Sequence, residues 1–386
     1  MRGHITQRSK DTYSIKISIG KDPATGKYKS QWFTVKGSKR DAEKRLSELL
    51  HQMDTGNYMK PGKTTVADYL DRWLTDYAKP NLSPRSYERY AGIIRQHLIP
   101  DFGNIQLSQL RPEHLQKHYS SRLNSGLSAR TVRYHHALIH IALQTAVKWG
   151  LVSRNVADAA EPPKFKRSQM QTWNEYEVNQ FLEAAKDTQY YALFYTALFT
   201  GMRRSELLAL RWQDIDFIYS QIYVCRSLHH LKDGSYVFTQ PKSERSRRTI
   251  ALPPSAFLVL SEYRKAKDTD ALLLDKPITD TDLVFSNLGK PLRPNTVTYA
   301  WARIAARAGV KVIRLHDARH THASLMLKQG IHPKVVQERL GHASIQMTLD
   351  TYSHVAPGIQ EAAANRFDSL FSIDSKACDT VVGVHK

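Results

Sequence analysis

The chain has 386 residues, of which 41% are hydrophobic and 24% charged, and a formal net charge of +20 at pH 7. That length fits two or three domains better than one core, and the balance excludes a largely disordered protein. A positive excess of this size attracts a polyanion through counterion release, and because lysines and arginines recur in every part of the chain, nucleic acid is favoured over an anionic membrane or a merely basic enzyme.

The amino terminus, Met1-Arg2-Gly3-His4-Ile5-Thr6, lacks the apolar core of a signal peptide, so a cytoplasmic location is expected. No stretch approaches the roughly 20 apolar residues of a membrane span. Residues 1–60 hold 13 Lys+Arg against 6 Asp+Glu, which makes this segment a basic module. Within it, Tyr13 to Ile19 alternates as a half-buried strand, Asp22-Pro23-Ala24-Thr25-Gly26 has turn chemistry, and Lys29 to Val35 reads as a returning strand. Ser38 to Leu50 reads as a helix, with Ser38 as N-cap and Ala42, Leu46, Leu49 and Leu50 on one face.

A linker follows at residues 51–63, where Gly56, Pro61 and Gly62 stand among polar neighbours. From Thr64 to about Ala157 only helices are expected: Val66 to Tyr77, Pro84 to His97, a turn at Pro100 to Gly103, then Arg111 to Leu123 and Ala129 to Lys148. In the last of these, Leu138, Ile141, Ala142, Thr145 and Trp149 are assigned to the apolar face, with Arg130, Arg133 and His136 elsewhere. Ala159 to Arg167, with Pro162-Pro163, reads as a second linker.

The largest domain opens with helices at Asn174 to Ala185 and Tyr190 to Thr200, a turn at Gly201 and another helix. Strands are expected at Gln221 to Leu228, Tyr236 to Thr239 and Arg248 to Leu252, with a turn at Lys232-Asp233-Gly234. Helices return from Asn295, and the stretch after Ser372 reads as a tail. Cys225 and Cys378 have no paired ligand spacing and are read as inert thiols. The fold class expected is mainly α with small β-sheets (α+β), in three domains.

Breaking a phosphodiester requires neutralising its non-bridging oxygens, activating a nucleophile and protonating a leaving oxygen. Thr200-Gly201-Met202-Arg203-Arg204-Ser205-Glu206-Leu207 is a turn opening a helix, where Arg203 faces a favourable anion position, although a surface salt bridge to Glu206 or Glu177 fits equally well. In Leu315-His316-Asp317-Ala318-Arg319-His320-Thr321-His322, His316 and Arg319 share a helical face. His316 and His320 also have metal-ligand spacing, but no acidic or cysteine partner with ligand spacing accompanies them. His320 and His322 are assigned to packing and hydrogen bonding. Leu340-Gly341-His342 and the following Asp350-Thr351-Tyr352-Ser353-His354 close the set, with His354 read as packing.

This combination resembles the tyrosine recombinase (phage integrase) family, whose catalytic domain carries an arginine in a T-G-x-R-x-S-E-L context, a hairpin lysine, an H-x-x-R box, an L-G-H box and a following tyrosine. All five occur here in the family order across roughly residues 170–355. The interval from His342 to Tyr352 is one residue longer than the commonest family spacing, in an intact Tyr-Ser-His-Val context. The resemblance implies that Tyr352 is the nucleophile forming a 3′-phosphotyrosine, and that Arg203 and Arg319 clamp the phosphate. It further implies His316 as the base, Lys242 as the donor to the leaving 5′-hydroxyl, and His342 as a hydrogen-bonding partner of the scissile phosphate. Lys242 stands beside Arg245, Arg247 and Arg248, any of which could instead bind the DNA backbone.

By the same resemblance, residues 1–55 are an arm-type DNA-binding domain, 64–157 a helical core-binding (SAM-like) domain, 168–371 the catalytic domain and 372–386 a tail that could dock on a neighbouring protomer. The implied protein is an integrase that works on double-stranded DNA as a homotetramer through a Holliday junction. It would act on the DNA of a bacterial host, without metal or nucleotide cofactor, and with an accessory DNA-bending or directionality protein as a possible partner. A type IB topoisomerase, a DNA-binding regulator with a dead catalytic domain, and a metal-dependent transposase are the competing readings. The first lacks a reason for the small basic module, the second for the intact set of side chains, and the third would need clustered acidic ligands.

Overall fold

The computed structural model describes residues 3–21, 28–54, 63–165, 170–240, 247–273 and 275–352, together with Ala364, Phe367 and Asp368. The expected turn at 22–26, the linker residues 55–62, Lys242 and Arg245, His354, Cys378 and the tail from 372 lie outside the described residues. The chain divides into two compact units, Met1–Arg167 and Ser168–Lys386. It is mainly helical with small antiparallel sheets, the α+β class expected.

The first unit opens with a three-stranded antiparallel sheet of β1 (Gly3–Ser9), β2 (Thr12–Lys21) and β3 (Tyr28–Lys36). Strand alternation sends Ile5, Ile15, Ile17, Phe33 and Val35 to one face, where they meet Leu46, Leu49, Leu50 and Met53 of α1 (Lys39–Asp54). The opposite face carries the cross-strand rank His4, Lys16 and Trp32. β1 escapes the sequence reading because Ile5 is its one apolar residue, and a polar run shows no alternation by itself. Ser38 caps α1 as expected, in reciprocal bonds with Asp41. The helix runs one turn past Leu50 because Met53 reaches the same core.

Prolines reshape the helical part. α2 (Val66–Trp73), capped by Thr65 and Asp68, continues beyond Tyr77 through a π-helical turn, Leu74–Ala78, into α3 (Lys79–Asn81). α4 (Pro84–Ile93) likewise passes through Ile94–Leu98 into α5 (Ile99–Phe102), so the turn expected at Pro100 to Gly103 is helical down to Phe102. Pro80 and Pro100 have no N–H to donate four residues back. The ladder slips one residue ahead of each, with Lys79 N–H on Leu74 O and Ile99 N–H on Ile94 O.

α6 (Pro112–Asn124) and α7 (Ala129–Lys148) complete this bundle. The buried stripe of α7 is Val132, His135, Leu138, Ile139, Ala142, Leu143, Thr145 and Ala146. Ile141 lies off that stripe and is 41% exposed, contrary to expectation. Trp149 sits past the last turn, 40% exposed, with the Arg72 guanidinium 5.5 Å from its ring centroid.

Three histidines meet inside this bundle. His118 Nδ1 contacts Asp101 Oδ2 at 2.5 Å, its Nε2 lies 3.2 Å from His135 Nδ1, and the His97 ring stacks on His135 at 4.9 Å. Arg122 donates to both carboxylate oxygens of Asp101. Burial, then neighbouring imidazoles and Arg122, pushes the His135 pKa down to about 4, and burial lowers His97 and His118 as well.

The second unit begins with α8 (Glu175–Ala185), α9 (Tyr191–Thr200) and α10 (Arg204–Leu207). A sheet ordered β4 (Ile215–Asp216), β5 (Gln221–Val224), β8 (Arg248–Ala251) and a hairpin of β6 (Ser227–His230) with β7 (Tyr236–Thr239) follow. The single strand expected over Gln221 to Leu228 is therefore two strands in different sheets. The chain breaks at Cys225-Arg226, where Arg226 turns to pair with buried Asp214.

α11 (Pro254–Leu273) is also absent from the sequence reading, because Ala256, Leu260 and Ala271 are its only buried residues and leave a weak period. A short hairpin of β9 (Ser286–Asn287) and β10 (Lys290–Pro291) leads to α12 (Pro294–Arg307), α13 (Asp317–Lys328), α14 (Pro333–Leu340) and α15 (Ile345–Tyr352). Trp173, Phe181, Phe194 and Trp301 form the aromatic centre of the core.

The histidine cluster predicts acid sensitivity in the first unit. Folded pKa values below the unfolded ones mean that the unfolded chain binds more protons, so stability is full above the ordinary histidine pKa and falls as pH drops toward the folded value of about 4 for His135. His135 alone would remove about 2 kcal/mol by pH 5. Hydrogen-exchange protection across Val66–Lys148 of the full chain, corrected for intrinsic rates, is expected to drop between pH 7 and pH 5, and His135→Leu to flatten that dependence. An unchanged dependence in the variant would contradict this.

Candidate active site

α9 ends at Gly201, whose φ of +65° belongs to the left-handed region. Space also demands glycine there, since a Cβ would lie 2.7 Å from Leu340 Cδ2 and 2.8 Å from His322 Cδ2. The turn delivers Arg203 as the residue before α10, with Nη1 donating to Glu206 Oε1 at 2.7 Å and its backbone N–H to Oε2 at 2.9 Å. The salt bridge weighed from the sequence therefore exists, but Glu206 is buried and Arg203 partly so.

Glu206 also receives Arg248 Nη2 at 2.9 Å. Burial raises the Glu206 pKa, but Arg248 and then Arg203 more than offset this and hold its carboxyl below the usual range. Arg248 has only 5% of its side chain exposed and donates through Nε to Arg339 O at 2.7 Å, so it is a structural cation and not a free backbone contact for DNA. Arg247, in contrast, is exposed and bonds Gln240.

The loop before α13 is held from both sides by tryptophans. Trp173 Nε1 donates to Lys311 O at 2.7 Å, Trp301 Nε1 donates to Ile313 O at 2.8 Å, and the two indoles stack at 4.9 Å. Asp317 accepts from the backbone N–H and the guanidinium of Arg314, closing the turn around His316. His316 is exposed at the start of α13. Partial desolvation, then Arg319 and Arg203, lowers its pKa. The His320 ring lies 5.2 Å from it, with a pKa pushed down to about 4 by burial and then His316.

Arg319 is buried, and its guanidinium joins two helix ends, with Nη1 donating to Gly201 O at 2.9 Å and Nη2 to Leu340 O at 2.6 Å. α14 closes at Gly341, again left-handed with φ +67°, and His342 follows. His342 is buried, its Nδ1 2.9 Å from Thr348 Oγ1 on α15, and its carbonyl accepts from Gln337 at 2.6 Å. Burial, then Arg319 and Arg203, pushes its pKa down to about 3, so the ring is neutral at pH 7. Tyr352 ends α15, one helical turn beyond Thr348.

The charges of Arg319 and Arg203 both act on His316 and on His342, so these four side chains are neighbours, and the helix of Tyr352 is tied to His342 through Thr348, while Lys242 lies outside the described residues. Arg339, Thr348 and the two tryptophans carry no local signal in the sequence, where Glu206 stands out only as a surface partner of Arg203. The fixed place of Glu206 three residues after Arg203 was the available signal for it. Among the described residues, no group of three or more His, Cys, Asp or Glu is placed to hold a metal ion.

Residues 171–358 match the phage integrase family, and residues 65–123 match the phage integrase N-terminal SAM-like domain. The chain is similar to a tyrosine recombinase XerC-like protein of Caldanaerobacter subterraneus subsp. tengcongensis, 26% identical over 384 residues, covering 95% of this chain and 98% of the relative. It is likewise similar to the ICEBs1 integrase of Bacillus subtilis, 26% identical over 360 residues, with 93% and 97% covered.

Among solved structures, the Tn1549 transposon integrase in complex with a circular intermediate DNA shares the fold with a TM-score of 0.66, at 20% identity over 80% of this chain and 99% of that one. A lambda integrase tetramer bound to a Holliday junction does so with a TM-score of 0.57, at 18% identity over 90% and 94%.

The buried carboxylate generates a stability prediction. Glu206→Ala removes the buried carboxylate shared by Arg203 and Arg248 and is expected to lower unfolding free energy by about 3–5 kcal/mol, with Glu206→Gln intermediate. Urea denaturation followed by tryptophan fluorescence checks this; a loss below about 1 kcal/mol would place the pair with ordinary surface bridges.

Proposed function

We infer, for a chain that belongs to the tyrosine recombinase (phage integrase) family and is a site-specific DNA recombinase, that it cuts and rejoins DNA through a transient 3′-phosphotyrosine at Tyr352. Two such exchanges through a Holliday junction would integrate or excise a phage or other mobile element. The observation that supports this reading is the Arg319 bridge between Gly201 O and Leu340 O, because Arg203 lies two residues after the first carbonyl, His342 two residues after the second, and His316 three residues before Arg319 itself.

In the proposed step, Tyr352 Oη attacks phosphorus and the bond to the 5′-oxygen breaks. A free phenol with a pKa near 10 is ionised to about one part in a thousand at pH 7, so the proton must leave as the bond forms. His316, with a lowered pKa, is neutral and able to take it. Lys242 gives a proton to the departing 5′-oxygen. Arg203 and Arg319 stabilise the charge that grows on the non-bridging oxygens, and neutral His342 hydrogen-bonds the same phosphate. The ester keeps the energy of the broken bond, so a 5′-hydroxyl from a partner strand can reverse the step without ATP.

The substrate is double-stranded DNA carrying core-type and arm-type sites, bound by a homotetramer, with an accessory bending or directionality protein as a further partner. The reading is supported by relatives that include the integrase of ICEBs1 and by neighbours solved with circular intermediate DNA and on a Holliday junction. Residues 64–157 and 168–371 would grip the core site. The N-terminal sheet suits the arm site, since its outer face presents exposed Trp32 with Lys16 Nζ 5.3 Å from the ring centroid.

Incubation with a nicked suicide duplex is expected to yield a covalent protein–DNA complex on a denaturing gel, undiminished by excess EDTA. Tyr352→Phe should form none while still shifting the duplex, and a covalent complex with that variant would overturn the assignment. Because the lowered pKa of His316 leaves it neutral through pH 7, the cleavage rate should hold to below the ordinary histidine range and fall as pH drops through the lowered value. His316→Gln should lower the rate and remove that acid limb; an intact limb in the variant would give the base to another group.

A further inference from the structure

We propose that Arg339 and His322 form a positioning pair for the phosphate-binding turn, Arg339 holding the His322 ring as an acceptor so that it buttresses Gly201. The pair rests on the reading of Arg203, Arg319 and His342 as the phosphate site. Arg339 lies on α14, directly before Leu340, and donates to three separate elements. Its Nε meets His322 Nε2 of α13 at 3.0 Å, its Nη2 meets Phe199 O of α9 at 2.9 Å, and its Nη1 meets Ala251 O of β8 at 2.9 Å. Each of its nitrogens therefore donates inside the protein, a geometry for holding structure and not for gripping DNA.

An arginine Nε–H can only donate, so His322 Nε2 must accept. The ring proton then sits on Nδ1, which donates to Leu198 O at 2.8 Å. Both nitrogens are engaged in the neutral form, and burial followed by the Arg339 charge pushes the pKa down to about 3. The ring edge meets the glycine turn, where a Cβ on Gly201 would stand 2.8 Å from Cδ2.

Two successive carbonyls at the end of α9, of Leu198 and Phe199, are thus pinned by this pair just ahead of the Gly201 carbonyl that Arg319 takes. Arg339 O in turn receives Arg248, the second partner of Glu206, which holds Arg203. Through its guanidinium and its backbone carbonyl, Arg339 thereby connects the Arg203 turn and the helix of Arg319 to the end of α14, which leads into His342. Packing and hydrogen bonding, the role expected for His322 from sequence, did not specify an acceptor at Nε2 or a cationic partner for it.

The test is single-turnover covalent-complex formation on a nicked duplex taken from DNA flanking the coding sequence, with duplex affinity and thermal unfolding measured in parallel. Full-length Arg339→Met and His322→Asn are expected to cleave roughly 10–100-fold more slowly per folded molecule with unchanged Kd. Asn retains a donor toward Leu198 O but cannot reach Arg339. His322→Gln places an amide oxygen where Nε2 stood and is expected to stay within about 3-fold of the parent. Parental cleavage by Arg339→Met, a Kd that weakens in step with the rate, or Gln as slow as Asn would each overturn the pair. A parent that forms no covalent complex would overturn the phosphate-site reading beneath it.

Discussion

Arg319 donates to the carbonyls of Gly201 and Leu340, and those carbonyls stand where α9 and α14 run out of intrahelical donors. A helix C-terminus carries partial negative charge, so one buried cation between two such ends satisfies orphan acceptors and draws the helices together. The left-handed glycines are consequences of this join. The chain has to reverse at Gly201 and at Gly341 while neighbouring side chains press close, and a Cβ at Gly341 would come within 3.0 Å of Arg248 Cδ. Arg203 stands two residues beyond the first glycine and His342 one beyond the second, so both inherit their positions from the bridge.

The electrostatics of the site follow from the mix of carboxylate and carbonyl acceptors around its cations. Arg203 and Arg248 share Glu206, whereas Arg319 and Arg339 lean on backbone dipoles. The surroundings stay strongly positive, and burial with that field pushes His322 and His342 down to about 3 and His320 to about 4. Neutral imidazoles beside fixed cations suit a reaction in which negative charge appears on phosphate oxygens and a proton must be accepted nearby.

Arg203, His316, Arg319 and His342, which the structure brings near one another, each sit in a short local context in the sequence: a glycine turn before Arg203, an i, i+3 pair at His316 and Arg319, a helix stop before His342. What holds them there was not. Arg319 reaches Gly201 across 118 residues and Arg339 reaches Phe199 across 140, and no local period carries such information. The fold shows the same division. Strongly periodic elements such as Ala129–Lys148 were placed, whereas α11 and β1, with few buried residues, were not. Corrections at Pro80 and Pro100 have a local cause, yet one that depends on the bundle: proline forbids one hydrogen bond, and packing decides whether the helix ends or slips through a π-turn.

Under the proposed chemistry, cleavage and rejoining pass through the same transition state in opposite directions, with little net change in bond energy. A site of that kind gains nothing from binding one side of the reaction more tightly, and everything from holding the same charges in place throughout. The mounting of His316 answers to this requirement. Trp173 and Trp301 clamp the preceding loop at Lys311 O and Ile313 O, and Asp317 fastens the turn to Arg314, so an exposed imidazole is carried on a buried frame. The ring is then open to the reacting proton in either direction, while the loop that bears it is anchored in the aromatic core of the unit.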